Sequence, residues 1–193
     1  MHDGALSVIV CGASMSHFAS AYLVRIRRET ELPVRVLLTH SAERFLRAEA
    51  VGFFADEVYT SGAADLNPIE FARRARALIV LPASANMIAS AALGLAGGPA
   101  QTALLASEQP ALFFPSMNAT MWGKPSTRRH VAALRADGHK VVDLVEREVF
   151  DLWQRQVSIS PAMPDAAEAA KIVAAWLNRD PPTAAATSAT DSE

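Results

Sequence analysis

The chain predicts an α/β fold, one parallel sheet with helices on both of its faces. Three observations carry this. Short, continuous apolar runs alternate with amphipathic helical patterns along the chain. The runs are apolar throughout, not alternately, as strands buried on both faces must be. Helix start and stop residues fall between them.

The elements follow in order. Residues 6–10 (LSVIV) form the first buried strand, and the small, hydroxyl-rich CGASMS leads into a helix over 18–28. Residues 34–39 (VRVLLT) are the second strand. SAERFLRAEAV reads as a helix with Ser41 as N-cap. EVY is a short strand. NPIEFARRARA is a helix with Asn67 as N-cap and Pro68 in the first turn. Residues 78–82 (LIVLP) are a third strong strand. The next helix, SANMIASAALGLAGG, ends at Gly97 and Gly98. AQTALLAS is a further helix, 111–115 (ALFFP) a strand, STRRHVAALRADG a helix closed by Gly138, and KVVDL the last strand. DAAEAAKIVAAWLNR is the terminal helix. Residues 1–179 therefore form one doubly wound, Rossmann-like (flavodoxin-like) domain. The tail 180–193, without apolar periodicity, is expected to be disordered.

Composition narrows the function. Of 193 residues, 51% are hydrophobic and 20% charged, which leaves apolar surface for contacts between subunits. The formal charge of -2 gives no general pull on nucleic acid or an anionic membrane. The single cysteine, Cys11, excludes an internal disulfide, and its place at the end of a buried strand reads as an inert core thiol. The N-terminus lacks the pattern of a signal peptide, and the longest apolar stretch is broken by Pro, Ser and Asn. A cytoplasmic protein outside the membrane is expected.

In open parallel sheets, ligands bind beyond the carboxyl ends of the strands. Four segments lie there: 12–16, 39–41, 82–86 and 115–122. The first three are small and rich in hydroxyls. Backbone N–H groups with the Ser14 and Ser16 hydroxyls suit a phosphate. There is no GxGxxG, so a dinucleotide is not indicated. GKPS at 123–126 lacks the upstream glycine of a nucleotide-binding lysine loop. No histidine has metal-ligand spacing with another His or Cys. His17 and His40 fall in the ligand loops, and His139 in a surface turn. The fourth segment is unusual. Loops rarely carry two Met and a Trp unless something apolar sits against them.

Two motifs carry a resemblance over roughly 8–142. Pro82-Ala83-Ser84-Ala85-Asn86 and Pro115-Ser116-Met117-Asn118-Ala119-Thr120-Met121-Trp122 resemble the PASAN loop and the PxMNxxMW motif of homo-oligomeric, flavin-containing cysteine decarboxylases. That family includes phosphopantothenoylcysteine decarboxylases and the peptidyl-cysteine decarboxylases of ribosomal peptide biosynthesis. The resemblance implies FMN, with FAD as the alternative. Its contacts would be Gly12, Ser14, Thr39, Ser41 and Ser84, with Asn86 near the isoalloxazine. It implies that Asn118 binds the substrate carboxylate and that Met117, Met121 and Trp122 line and close the pocket, with Asn118 and Met121 in the catalytic role. It also implies trimers, often four to a dodecamer, with flavin sites between subunits. The chemistry suits these residues: a cysteine carboxylate leaves poorly without an electron sink, and oxidation of the side chain to a thioaldehyde creates one. An apolar pocket desolvates the carboxylate.

Two departures stand out. The family places a histidine at the start of the helix before the third strong strand, in a segment like HIELARWAD; here that position is Pro68. Phosphopantothenoylcysteine decarboxylases also carry a downstream cysteine that reduces the enethiol. The segment EREVFDLWQRQVSISPAMP has none and reads either as a surface loop or as a flap over a peptide. The expected function is oxidative decarboxylation of the C-terminal cysteine of a precursor peptide to an aminoenethiol. The alternatives are coenzyme A biosynthesis and a catalytically silent flavin-binding regulatory subunit.

Overall fold

The computed structural model describes residues 4–151 and 154–179. The expected tail 180–193 lies outside the described residues. Six strands form one parallel sheet: β1 (Ala5–Val10), β2 (Val34–Leu38), β3 (Glu57–Thr60), β4 (Ala75–Ala83), β5 (Leu112–Pro115) and β6 (Lys140–Val141). Their order across the sheet is β3-β2-β1-β4-β5-β6. β1 and β2 are buried along their whole lengths, as expected of strands covered on both faces.

Among the described residues eight α-helices accompany them: α1 (Ala19–Thr30), α2 (Ala48–Val51), α3 (Pro68–Arg73), α4 (Ala85–Ala92), α5 (Pro99–Leu105), α6 (Ala119–Gly123), α7 (Pro125–Ala136) and α8 (Ala166–Leu177). On one side of the sheet α1 and α8 bury Leu23, Ile26 and Val173 against Val8, Val36 and Ile79. On the other, α3, α4, α5 and α7 bury Phe71, Met87, Ile88 and Leu134 against Ile9, Val80 and Phe113. The direction of winding reverses between β1 and β4. The crevice beyond their carboxyl ends is where such sheets take ligands.

Several boundaries differ from the sequence reading, each for a local reason. Ser41 is not an N-cap: it has αR angles and accepts no cap hydrogen bond. Thr39 takes that place, its carbonyl and hydroxyl oxygens accepting from Ala42 N at 2.7 and 3.3 Å. The expected single helix is split into a 3-10 turn at Ala42–Arg44 and α2, with Arg47 extended between them. α4 stops at Leu93, where Gly94 adopts φ +64°; Gly98 instead precedes Pro99, the first residue of α5. β4 begins three residues early at Ala75, which shortens α3 and puts Arg76 in the strand. KVVDL contributes only Lys140–Val141 to the sheet. The segment read as loop or flap is an antiparallel hairpin, β7 (Val145–Asp151) with β8 (Gln156–Ala162).

Candidate functional site

The chain folds its four candidate segments onto one edge because β2, β1, β4 and β5 are consecutive in the sheet and parallel. Backbone hydrogen bonds join the segments directly. Thr39 N donates to Val10 O (3.0 Å), Cys11 N to Pro82 O (3.2 Å) and Ser116 N to Ala83 O (2.8 Å). Gly12 makes the closest approach. A Cβ there would lie 2.5 Å from Ser41 Cβ and 2.6 Å from the Ser41 carbonyl carbon and oxygen. Only glycine lets the loops after β1 and β2 meet.

The hydroxyls divide into those spent on the fold and those left for a ligand. Ser16 is fully buried; it donates to Cys11 O (2.6 Å) and accepts from Ala13 N (3.0 Å), so it is a brace and not a phosphate ligand. The sequence could not separate Ser14 from Ser16, because the 3-10 turn at Ser14–Phe18 turns one hydroxyl in and leaves the other out. Ser14 and Ser41 are exposed. Thr39 serves its own turn through its hydroxyl. Ser84 caps α4, accepting from Met87 N at 3.2 Å, and Asn86 stands exposed one residue into that helix. The first-turn N–H groups of α4 therefore open onto the edge between β1 and β4.

Cys11 sits beneath this edge, 2% exposed. Burial pushes its thiol up to about 11, only partly offset by hydrogen bonding with Ser84. It is a neutral core thiol at physiological pH.

Asn118 is the N-cap of α6, its Oδ1 accepting from Met121 N at 2.8 Å. That bond fixes the amide so that its NH2 is the group left to face a ligand, a donor suited to a carboxylate. Met117 and Trp122 are half-buried against the β4–β5 core, while Met121 is 42% exposed. Met121 and Trp122 therefore do not enclose a pocket within one chain; the motif lies open on the surface. Two cavities, of about 320 Å³ beside Leu95 and Glu108 and about 420 Å³ beside Val24 and Phe53, lie away from this edge.

Pro68 occupies the first turn of α3, and Asn67 beside it caps the helix, accepting from Ile69 N and Glu70 N. Neither offers a proton. His17 stands edge-on to Phe45 with ring centres 5.2 Å apart, and His40 is exposed in the next loop. His139 is not in a plain surface turn. Its Nδ1 accepts from Ala111 N at 2.9 Å, its ring meets Phe113 edge-on, and burial lowers its pKa. Sequence reasoning also missed Arg35. It is 2% exposed in β2, donates to Ser7 Oγ (2.9 Å) and Phe71 O (2.7 Å), and stacks on the Phe71 ring, fastening α3 to the sheet.

Residues 2–178 match the flavoprotein family. This chain is a member of that family. The flavoprotein is 32% identical to mersacidin decarboxylase from Bacillus sp. (strain HIL-Y85/54728) over 155 residues, 79% of each chain. Among solved structures, MrsD from Bacillus sp. HIL-Y85/54728 superposes with a TM-score of 0.76 at 29% identity, covering 91% of this chain and 96% of that one. A histidine-to-asparagine variant of EpiD, complexed with substrate peptide DSYTC, shares the fold at a TM-score of 0.82 and 24% identity over 89% of this chain and 99% of that one. The edge fits a flavin: small residues, a close-approach glycine, open hydroxyls at Ser14 and Ser41 and a helix N-terminus converge where the winding reverses. No helix among the described residues is long and apolar enough to cross a membrane.

Proposed function

We propose that this flavoprotein uses FMN to decarboxylate, oxidatively, the C-terminal cysteine of a precursor peptide in the cytoplasm. The observation that carries the reading is Asn118. Its carbonyl oxygen is consumed by the α6 cap, and its NH2 is held open one strand away from the Ser84–Asn86 loop. The amide can bind a carboxylate without the full charge that would hold CO2 in place. Ser14, Ser41, Ser84 and the α4 N-terminus would hold the phosphate, and Asn86 would lie nearer the ring. When bound, the flavin supplies a two-electron oxidant. The peptide loses CO2 and two hydrogens and ends in an aminoenethiol, a nucleophile suited to aminovinyl-cysteine formation. Met117, Met121 and Trp122 supply the apolar surroundings that desolvate the carboxylate.

The lone Cys11 argues against the coenzyme A reading. A return of electrons to an enethiol needs an accessible thiol, and Cys11 is buried and protonated. The test is mass spectrometry of short peptides ending in Cys, incubated with the flavin-loaded protein. Loss of CO2 plus two hydrogens supports the proposal. No such product from any Cys-terminated peptide overturns it.

A second reading, a silent flavin-binding regulatory subunit, is favoured by Pro68, which puts no titratable group where related sequences have histidine. A cysteine thiol has an ordinary pKa near ~8.5, so thiolate formation at neutral pH costs only about 2 kcal/mol without that base. The two readings separate on Asn118→Ala. The decarboxylase loses turnover, whereas the silent subunit keeps flavin and shows no change in any assay.

A further inference from the structure

The amino edge of the sheet, opposite the edge that suits a flavin, gathers donors that the fold leaves short of acceptors. Arg76 is the second residue of β4, Pro110 lies two residues before β5, and Trp176 and Arg179 close α8; the parallel strands bring these ends to one side. β4 has nine residues, so this edge lies about 26 Å from the Ser84 loop.

Trp176 is half-buried against the core between α1 and α8, and its Nε1–H is shut off from solvent without an acceptor. Arg179 stacks on the Trp176 ring. Its Nη2 donates to Pro110 O at 3.4 Å, a long bond, and its Nη1 is buried with no acceptor. Arg76 is exposed beside them, its Nη2 donating to Leu177 O at 3.3 Å. Burial pushes the Arg179 pKa down to about 10, the Arg76 charge adds to that, and no carboxylate among the described residues offsets either. Two acids share this edge but are engaged elsewhere: Glu108 pairs with Arg73 at 3.6 Å, and Asp137 acts on His139.

Cations at the end of α8 answer its dipole, and that accounts for Arg76 on Leu177 O. It does not account for an indole N–H and a guanidinium N–H kept from water with nothing to bond, because buried donors are rarely left so. An oxyanion satisfies the whole set. Placed among the indole and the two guanidiniums, it accepts charge-assisted bonds and comes between two like charges. Arg179 is held over the indole by stacking and one long bond, so its side chain can swing aside to admit the anion.

We propose that Trp176, Arg179 and Arg76 form a binding site for a small oxyanion, a carboxylate or a phosphate, separate from the flavin edge. The site stands whether or not the chain decarboxylates a peptide.

The test uses the flavin-loaded protein, so that the flavin's own phosphate already occupies its edge. Labelling with 5-fluorotryptophan gives one fluorine signal for each of the three tryptophans, and Trp176→Phe assigns that of Trp176. Inorganic phosphate and succinate are titrated at an ionic strength held constant with chloride. The Trp176 signal shifts saturably with at least one of them while the other two signals stay in place, and the anion that saturates first names the class. Arg179→Gln and Arg76→Gln each raise the half-saturating concentration by about tenfold or more, as the loss of one hydrogen bond to a charged group allows. Arg76 is exposed, so its variant keeps the test open if the Arg179 variant fails to fold. No saturable shift with either anion, an equal shift with chloride, or an unchanged titration in Arg76→Gln overturns the inference.

Discussion

At the scale of single residues, Asn118 performs one task and is proposed for a second, and substitution can separate the two. Its Oδ1 caps α6 and its NH2 is available to a carboxylate. Asn118→Ala loses both, and the missing cap alone costs about 1 kcal/mol. Asn118→Asp keeps a good cap acceptor but sets a carboxylate against the substrate's own. The expected outcome is a melting temperature close to native and turnover down by about a hundredfold or more, equivalent to about 2.7 kcal/mol. Thermal melts and single-turnover product formation check it, and near-native turnover of the Asp variant would remove Asn118 from the carboxylate role. Gly12 is a simpler case. Gly12→Ala forces a methyl into Ser41, so the loops after β1 and β2 separate; flavin retention through gel filtration falls sharply, read at the yellow flavin absorbance band. His139 gives a pH signature. Its Nδ1 accepts from Ala111 N–H only while the ring is neutral, and burial holds its pKa below the ordinary 6.5. The unfolded chain then takes up the proton first. The contribution is complete above pH 6.5 and is lost as pH falls through 6.5 toward the lower folded value. His139→Asn retains an acceptor but does not titrate, so its urea midpoint falls less between neutral and mildly acid pH than the native midpoint does. Equal falls would show that the Ala111 bond is not what the protonation breaks.

At the scale of elements, legibility followed the origin of each signal. The strands were readable because burial on both faces writes itself as an unbroken apolar run, as in β1 and β2. Asn67–Pro68 was readable because a cap is a local hydrogen-bond pattern, and Asn67 does accept from Ile69 N and Glu70 N. Ser41 misled for the opposite reason: Thr39, two residues earlier, reached Ala42 N first, and no propensity separates two hydroxyl residues so close in sequence. Arg35 was invisible because its partners, Ser7 and Phe71, come from distant parts of the chain. This anchor is also where α3 can be tested as a unit. Arg35→Met keeps the stem packed but removes the donor to Phe71 O and the stacking on Phe71; Ser7 Oγ still reaches that carbonyl at 3.0 Å, which limits the loss. The expected destabilisation is about 1–2 kcal/mol by urea titration. A gain in stability would mean that the buried guanidinium, with its Nε unpartnered, costs more than its bonds return.

At the scale of the whole molecule, one chain supplies a complete floor and an incomplete enclosure. The floor is continuous from Thr39 through Gly12 and Ser84 to Asn118, joined by backbone bonds across four neighbouring strands. The walls are missing: Met121 is 42% exposed, Trp122 is half-buried against its own core, and the cavities of about 320 and 420 Å³ lie elsewhere. An oxidative decarboxylation that relies on desolvation cannot run well on an open edge. The trimer or dodecamer that the resemblance implies resolves this if a second copy covers the edge and shields flavin and peptide together. Flavin affinity and assembly are then linked, because each binding event stabilises the other by mass action. Dilution is the cleanest test, since it needs no substitution that could disturb folding. As protein concentration falls through the range where the native mass drops to that of one chain, bound flavin is released over the same range, and excess FMN shifts dissociation to lower concentration. Mass photometry follows the assembly and the rise in free-flavin fluorescence follows the ligand. Flavin held with undiminished affinity by the single chain would show that the open edge suffices for binding, and that Met121 and Trp122 close over the site by a movement within one subunit.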